Sequence, residues 1–439
     1  NFQGQNQTMK QNYIWIVIAA ALGGLMFGFD IGIVGGALPF LKEHFQMNEI
    51  QSGWATSCLL LGAIAGAYFA GTLADKYGRK KALLYIALIF GISSILTGLA
   101  FNFSTFILFR ILGGFSVGAV SVISPMYLSE MASAQHRGKL VSLYQLAITL
   151  GILLSFAINY LLHDIGDWNW RWMFISGFFP SLLFYALLFL VPESPRWLMM
   201  NNKSKEANAI IQKYFHGNES QFSNTIAEEH IRKINWKNKN EQLLLFIGMG
   251  LAVLVQFSGV NTVIEYAPTI LQSAGWKIDG ALISTFGIGL ANVVFTILGV
   301  MIIDKVGRRN LYLVGSMGMA ICLALMTYLY AYDNFNGAKA LALLIIFIAF
   351  FATCIGTSFW TLVAEIFPNP IRGNAMSMTS LVNWCATFIV VFFFPWLIKT
   401  IGSGKTFGFI TAMAILQFVF SYFFLKETKG QTLEEIKLH

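Results

Sequence analysis

Apolar residues along this chain neither alternate with period two nor form narrow helical stripes. They come in long runs separated by short polar segments. A bilayer core roughly 30 Å thick is crossed by about 20 apolar residues of helix. Twelve runs meet that length: about 13–36, 53–73, 82–101, 105–128, 140–162, 172–191, 243–272, 280–302, 311–331, 340–364, 374–397 and 406–425. The expected fold class is an all-α membrane protein with twelve transmembrane helices. One longer polar stretch, from about Pro195 to Glu241, divides the spans six and six. Within it Ala209, Ile210, Ile211 and Tyr214 recur at near-helical spacing, which predicts short amphipathic helices.

Composition agrees. Of 439 residues, 56% are hydrophobic and 11% charged, against about 25% charged in an average soluble domain. Cys58, Cys322, Cys354 and Cys385 all sit in apolar runs and read as small core residues. The six histidines form no metal-ligand pair, so neither a metal nor a cofactor is expected. Phe2-Gln3-Gly4 resembles a tag-cleavage remnant, which makes Met9 the expected native start.

Basic residues set the orientation. With the N-terminus in the cytoplasm, 22 of the 29 Lys and Arg residues fall in cytoplasmic segments. Lys42, Arg171, Lys277, Lys339, Lys399 and Lys405 fall outside, and Arg110 falls within a span. The +8 net charge is thus a matter of topology and calls for no nucleic-acid partner. Both termini are expected in the cytoplasm of a cell or inner-membrane protein.

Three motifs occur twice. Asp75-Lys76-Tyr77-Gly78-Arg79 matches Asp304-Lys305-Val306-Gly307-Arg308, Glu130 with Arg137-Gly138 matches Glu365 with Arg372-Gly373, and Glu193-Ser194-Pro195-Arg196 loosely matches Glu427-Thr428-Lys429-Gly430. The offsets are 229, 235 and 234 residues, which implies a duplicated six-helix unit. The expected organisation is an N-terminal six-helix bundle (1–194), a cytoplasmic helical linker (195–242), a C-terminal bundle (243–425) and a short tail (426–439). Parallel repeats place a substrate site at their interface near the midplane. Each motif lies at a cytoplasmic helix end and combines carboxylates with guanidinium groups, which pair strongly. Such pairs suit a gate: Asp75, Arg79, Glu130, Arg137, Glu193 and Arg196 in one half, and Asp304, Arg308, Glu365 and Arg372 in the other.

These motifs, with Pro192-Glu193-Ser194-Pro195-Arg196-Trp197-Leu198 the most specific, resemble the sugar porter branch of the major facilitator superfamily across essentially the whole chain. The resemblance implies two pseudo-symmetric six-helix bundles and a monomeric transporter, not an enzyme, working by alternating access on a sugar and, in many members, protons.

A sugar site needs side-chain amides, which donate and accept, and aromatic platforms. Mid-span amides are Gln145, Gln256, Asn261, Asn292 and Asn383, with Trp360 and Trp384 nearby. Taken singly, each amide could equally be interhelical glue. The resemblance maps all seven residues onto family positions that contact sugar. Gly259 and Pro268 flank the polar run of span seven and predict a broken helix there, with Phe257 or Tyr266 as an outer lid. Three positions depart from the family pattern: Val255, where a second glutamine is common; Glu265, where an aromatic is usual; and the proline-free Gly356-Thr357-Ser358-Phe359 before Trp360.

Asp30, Arg110 and Glu265 are the Asp, Glu, Lys or Arg residues deep within a span, and such residues are functional candidates. Counted from the predicted outer span ends they lie six, five and seven residues down, roughly 8–10 Å at 1.5 Å per residue. Equal depth makes an Asp30–Arg110 pair geometrically possible. A buried carboxylate balanced between desolvation and a guanidinium can exchange a proton as its surroundings change. In the resembled family, Asp at this position marks proton symporters and Asn facilitators. Glu265 could titrate, bind sugar or hold the outer gate open beside Tyr266.

Gly402-Ser403-Gly404-Lys405-Thr406 mimics the end of a phosphate-binding loop, but Lys399 stands where its first glycine belongs. Glycosylation is not expected at Asn6, Asn102 or Asn218. About fourteen residues follow span twelve, short for the signalling tail of a nutrient sensor. The alternative within transport is a facilitative sugar or polyol uniporter.

Overall fold

The protein is described here from a computed structural model. It covers residues 2–131, 137–215, 234–332, 336–425 and 427, with side chains except at 2–17, 20, 137–142, 215, 304, 369 and 370. Among the described residues all regular structure is helical. Twelve helices are long and apolar enough to cross a membrane. In order, spans one to six are Ala21–His44, Glu49–Tyr77, Arg79–Gly98, Phe103–Glu130, Leu143–Leu162 and Asn169–Leu188. Spans seven to twelve are Lys239–Ser273, Ile278–Ile303, Arg308–Ala331, Gly337–Ile366, Ile371–Ile401 and Ser403–Phe424. "Outer" below means the side opposite the basic loops.

Span one runs well past the expected end at residue 36, through Pro39 to His44. Its hydropathy thins there, but Leu38 and Leu41 are 4% and 0% exposed, and such packing sustains a helix beyond its apolar run. Asp30 therefore lies fourteen residues from the helix end and Arg110 seven. Counting from span ends misjudged the depth because this helix continues past the apolar run. Within the polar stretch, Pro195–Met200 and Ser204–Phe215 are helices, and Trp197, Leu198 and Ala207 form a small core with Ile210 packed on it. Residues 216–233 lie outside the described part.

Contacts group the chain into two compact units. The first comprises residues 1–30, 61–151 and 174–230. Its helices approach closely where side chains are small. A Cβ on Gly118 would stand 2.0 Å from the Ala63 carbonyl oxygen, so only glycine permits that contact.

The second unit comprises residues 31–60, 152–173 and 231–439. It joins the outer halves of spans one, two and five to spans seven to twelve. Gly35 of span one sits against the Glu265 backbone, where a Cβ would be 2.4 Å from the carbonyl oxygen. Gly53 of span two sits likewise against Phe392, with Trp54 packed edge-on to Phe388 and Phe392.

Candidate functional site

Span seven consists of two helices, Lys239–Phe257 and Val260–Ser273. The break falls at Ser258-Gly259, where Gly259 adopts φ +85°, a left-handed conformation glycine takes at little cost. Pro268 does not cause it and lies inside the second helix. The interruption sets Gln256 at the end of one helix and Asn261 in the first turn of the next. Irregular backbone at membrane depth is tolerated where it is buried in protein or lines a cavity.

Three predicted amides join across this break. Asn261 Nδ2 donates to Gln256 Oε1 at 2.7 Å, and Gln256 Nε2 donates to Asn383 Oδ1 of span eleven at 2.8 Å. Such a chain has direction: it leaves the Asn261 oxygen as an acceptor at one end and the Asn383 NH₂ group as a donor at the other. That arrangement suits hydroxyls, which do both. Trp384 adjoins Asn383 and is buried; Trp360 is half-buried against Phe359, ring centroids 4.8 Å apart. Asn292 of span eight is buried, and its Oδ1 has no hydrogen-bond partner among the described residues. Gln145 is half-buried on span five, in the first unit.

Span ten is irregular without proline. Residues Phe351–Ile355 form a π-helical turn between Gly337–Phe350 and Gly356–Ile366. Such a turn locally replaces the regular hydrogen-bond ladder and often marks functional sites. Gly299 of span eight accommodates it: a Cβ there would be 2.5 Å from the Thr353 carbonyl oxygen.

In the first unit, Arg110 Nη1 donates to Asp30 Oδ1 at 2.5 Å. The residues are 3% and 5% exposed, and the guanidinium also lies 5.2 Å from the Phe174 ring centroid. Asp30 Oδ2 and Arg110 Nε have no hydrogen-bond partner among the described residues. The pair is thus incompletely hydrogen-bonded within the protein in a buried setting, where each missing hydrogen bond is costly.

At the basic-loop end of the same unit the motif residues form a knot. Arg79 Nε donates to both Glu130 oxygens at 3.1 and 3.0 Å, and its Nη1 to Asp75 Oδ1 at 3.1 Å. Glu193 accepts the Lys80 and Ser194 backbone N–H groups at 3.0 and 2.9 Å, capping the start of span three. Burial holds the Glu193 carboxyl above the usual glutamate range, while the N–H groups of Lys80, Ser194 and Arg79 and the Arg79 charge pull it down. Trp197 Nε1 donates to the Asp75 carbonyl at 2.9 Å, and Arg196 is half-buried.

The second unit repeats this plan. Arg308 Nε lies 3.5 Å from Glu365 Oε1, and its backbone N–H donates to Glu427 Oε1 at 3.1 Å. Arg372 Nε donates to the Phe367 carbonyl at 3.1 Å. Glu130 of the first motif pair is thus held by Arg79, and Glu365 of the second lies beside Arg308. The side chains of Arg137 and Asp304 lie outside the described residues.

On the outer side of the second unit, Tyr266 is 2% exposed, and its hydroxyl donates to the Val391 carbonyl at 2.9 Å. It also interacts with Thr56 of span two, and its ring lies 5.0 Å from that of Phe394. Glu265 is 3% exposed and meets Gly35 through its backbone. Spans one, two, seven and eleven therefore pack together around Tyr266 on the outer side.

The family model described as Sugar (and other) transporter matches residues 16–439. The chain belongs to this family. It is 35% identical over 443 residues to the arabinose-proton symporter of Bacillus subtilis, covering 97% of this chain and 94% of that one. It is 34% identical over 482 residues to the D-xylose-proton symporter of Escherichia coli K12, covering 98% and 96%. Among solved structures, a partially occluded inward-open conformation of the xylose transporter XylE from E. coli matches with a TM-score of 0.86. That match has 32% identity and covers 96% of this chain and 100% of XylE.

For this family member the sequence reading missed several residues. Asn159 of span five is 0% exposed and donates to the Gly32 carbonyl at 3.1 Å. Gln417 of span twelve is also 0% exposed and donates to the Tyr312 hydroxyl at 2.9 Å. Both are mid-span amides, so the criterion that found Gln256 applies to them equally. His163 and Asp279, 3.1 Å apart at the outer ends of spans five and eight, carry no motif and could not be paired from sequence.

Proposed function

We propose that this chain moves a monosaccharide, a hexose or a pentose, across the membrane by alternating access, in symport with a proton. The observation that carries the reading is the buried, incompletely hydrogen-bonded Asp30–Arg110 pair. A static pair would gain more from full satisfaction. A pair that must release and recover a proton needs an accessible alternative state. The relatives named as arabinose-proton and D-xylose-proton symporters support the same coupling.

Gln256, Asn261 and Asn383 are assigned to substrate hydroxyls, with Asn292, Gln145, Trp360 and Trp384 completing the site. The knots at Arg79 and Arg308 are assigned to the cytoplasmic gate, and Glu265 with Tyr266 to the outer one. Cytoplasmic termini, a monomeric state and a two-bundle domain organisation belong to the same proposal. Facilitative uniport of a sugar or polyol is the alternative. Uptake by purified protein in liposomes, across a sugar and polyol panel with and without an inward proton gradient, separates the two. Accumulation above the external concentration is expected with the gradient only; mere equilibration in both conditions sinks the symport reading.

A further inference from the structure

Above the Tyr266–Phe394 seal, the second unit contains a cavity of about 720 Å³, within the roughly 300–1,000 Å³ range of small-molecule sites. It opens on the outer side, between the ends of spans one, two, seven and eleven. Its floor is apolar and aromatic, with Leu38, Tyr266 and Phe394. Its walls carry neutral hydrogen-bonding groups: Gln46, Ser52, Thr269 and Gln272.

The charges at its rim balance. Lys42 is paired with Glu49 at 3.1 Å, which leaves one carboxylate, Glu43, and one ammonium, Lys399. A site for an anion or a cation would be biased to one sign. This mixture of donors and acceptors over an aromatic floor fits a neutral polyhydroxyl molecule, whose ring faces are apolar and whose edge both donates and accepts.

The cavity is separate from the amide chain. Gln256, Asn261 and Asn383 are not among its lining residues. Tyr266 lines the cavity and donates to the Val391 carbonyl. Asn261 lies five residues earlier on the same helix, about 7.5 Å along its axis at 1.5 Å per residue.

We infer that this chamber is a second sugar site, filled from outside while the outer seal is shut. It rests on the sugar-transport reading above. A sugar held there reaches the amide chain when the seal opens, so capture precedes gating.

The test uses full-length protein carrying Cys385→Ser and Gln272→Cys, with and without Asn383→Ala to disable the amide site. Labelling by a membrane-impermeant maleimide is followed with D-xylose, D-arabinose, D-glucose or L-arabinose present, and liposome uptake of the same sugars is measured in parallel. A transported sugar is expected to slow labelling at least threefold in both backgrounds, and Gln46→Ala should weaken that protection. Protection that vanishes with Asn383→Ala, or is absent for a sugar that is transported, overturns the second site and leaves the transport reading intact. If no sugar in the panel is transported or protects, the transport reading fails and takes this inference with it.

Discussion

Arg110 meets Asp30 at 2.5 Å with both side chains buried, although they lie at different distances from the ends of their helices. Asp30→Asn removes the exchangeable proton and keeps the shape. It should abolish gradient-driven accumulation while sugar binding and exchange persist. Counterflow and proton-driven uptake on one preparation check this; an Asp30→Asn variant that still concentrates sugar rules Asp30 out as the coupling group.

The amide chain predicts a loss of affinity with little change in fold. Gln256→Ala strands both Asn261 and Asn383, each built around a Gln256 atom. Affinity should fall by about tenfold to a hundredfold, roughly 1.4–2.8 kcal/mol. Equilibrium binding by calorimetry measures it. An unchanged affinity would mean that the chain is structural.

Gly78 has φ +91°, and a Cβ on it would lie 2.3 Å from Glu193 Oε2. Gly307 repeats the geometry, 2.6 Å from Glu427 Oε2. Gly78→Ala should therefore cost about 1–3 kcal/mol through backbone strain and displacement of the carboxylate cap. A lowered Tm in detergent is the readout, and wild-type stability would refute the cap.

Glu193 also predicts a pH dependence. Its folded carboxyl binds a proton more tightly than in the unfolded chain, chiefly through burial. Stability from this group should accordingly decline as pH rises from the ordinary glutamate range, about 4.3, through the raised folded value. Thermal melts across that window should slope downward for the parent and flatten for Glu193→Gln. Equal slopes in the two proteins would exclude it.

Glu265 is buried beside Tyr266, at a position where the resembled family usually has an aromatic. Glu265→Tyr should speed net transport with little change in equilibrium affinity. A tenfold loss of affinity, about 1.4 kcal/mol, at unchanged turnover would instead identify Glu265 as a direct ligand.

The sequence by itself determined the twelve spans, the duplicated motifs and the charges deep within spans, Asp30, Arg110 and Glu265. Those follow from the length and charge that a bilayer imposes on each segment, which are local properties. Tertiary structure decided the partners. Glu130 took Arg79, fifty-one residues away, and Glu193 became a cap for the Lys80 backbone N–H. The span-seven break fell at Gly259, because a left-handed φ ends a helix there while Pro268 is accommodated within one. Span ten found its irregular turn through π-helical backbone bonds that no residue type announces. Spacing along a chain cannot specify which helices become neighbours, since that depends on how closely glycine-lined faces such as those at Gly35, Gly53 and Gly118 let backbones approach.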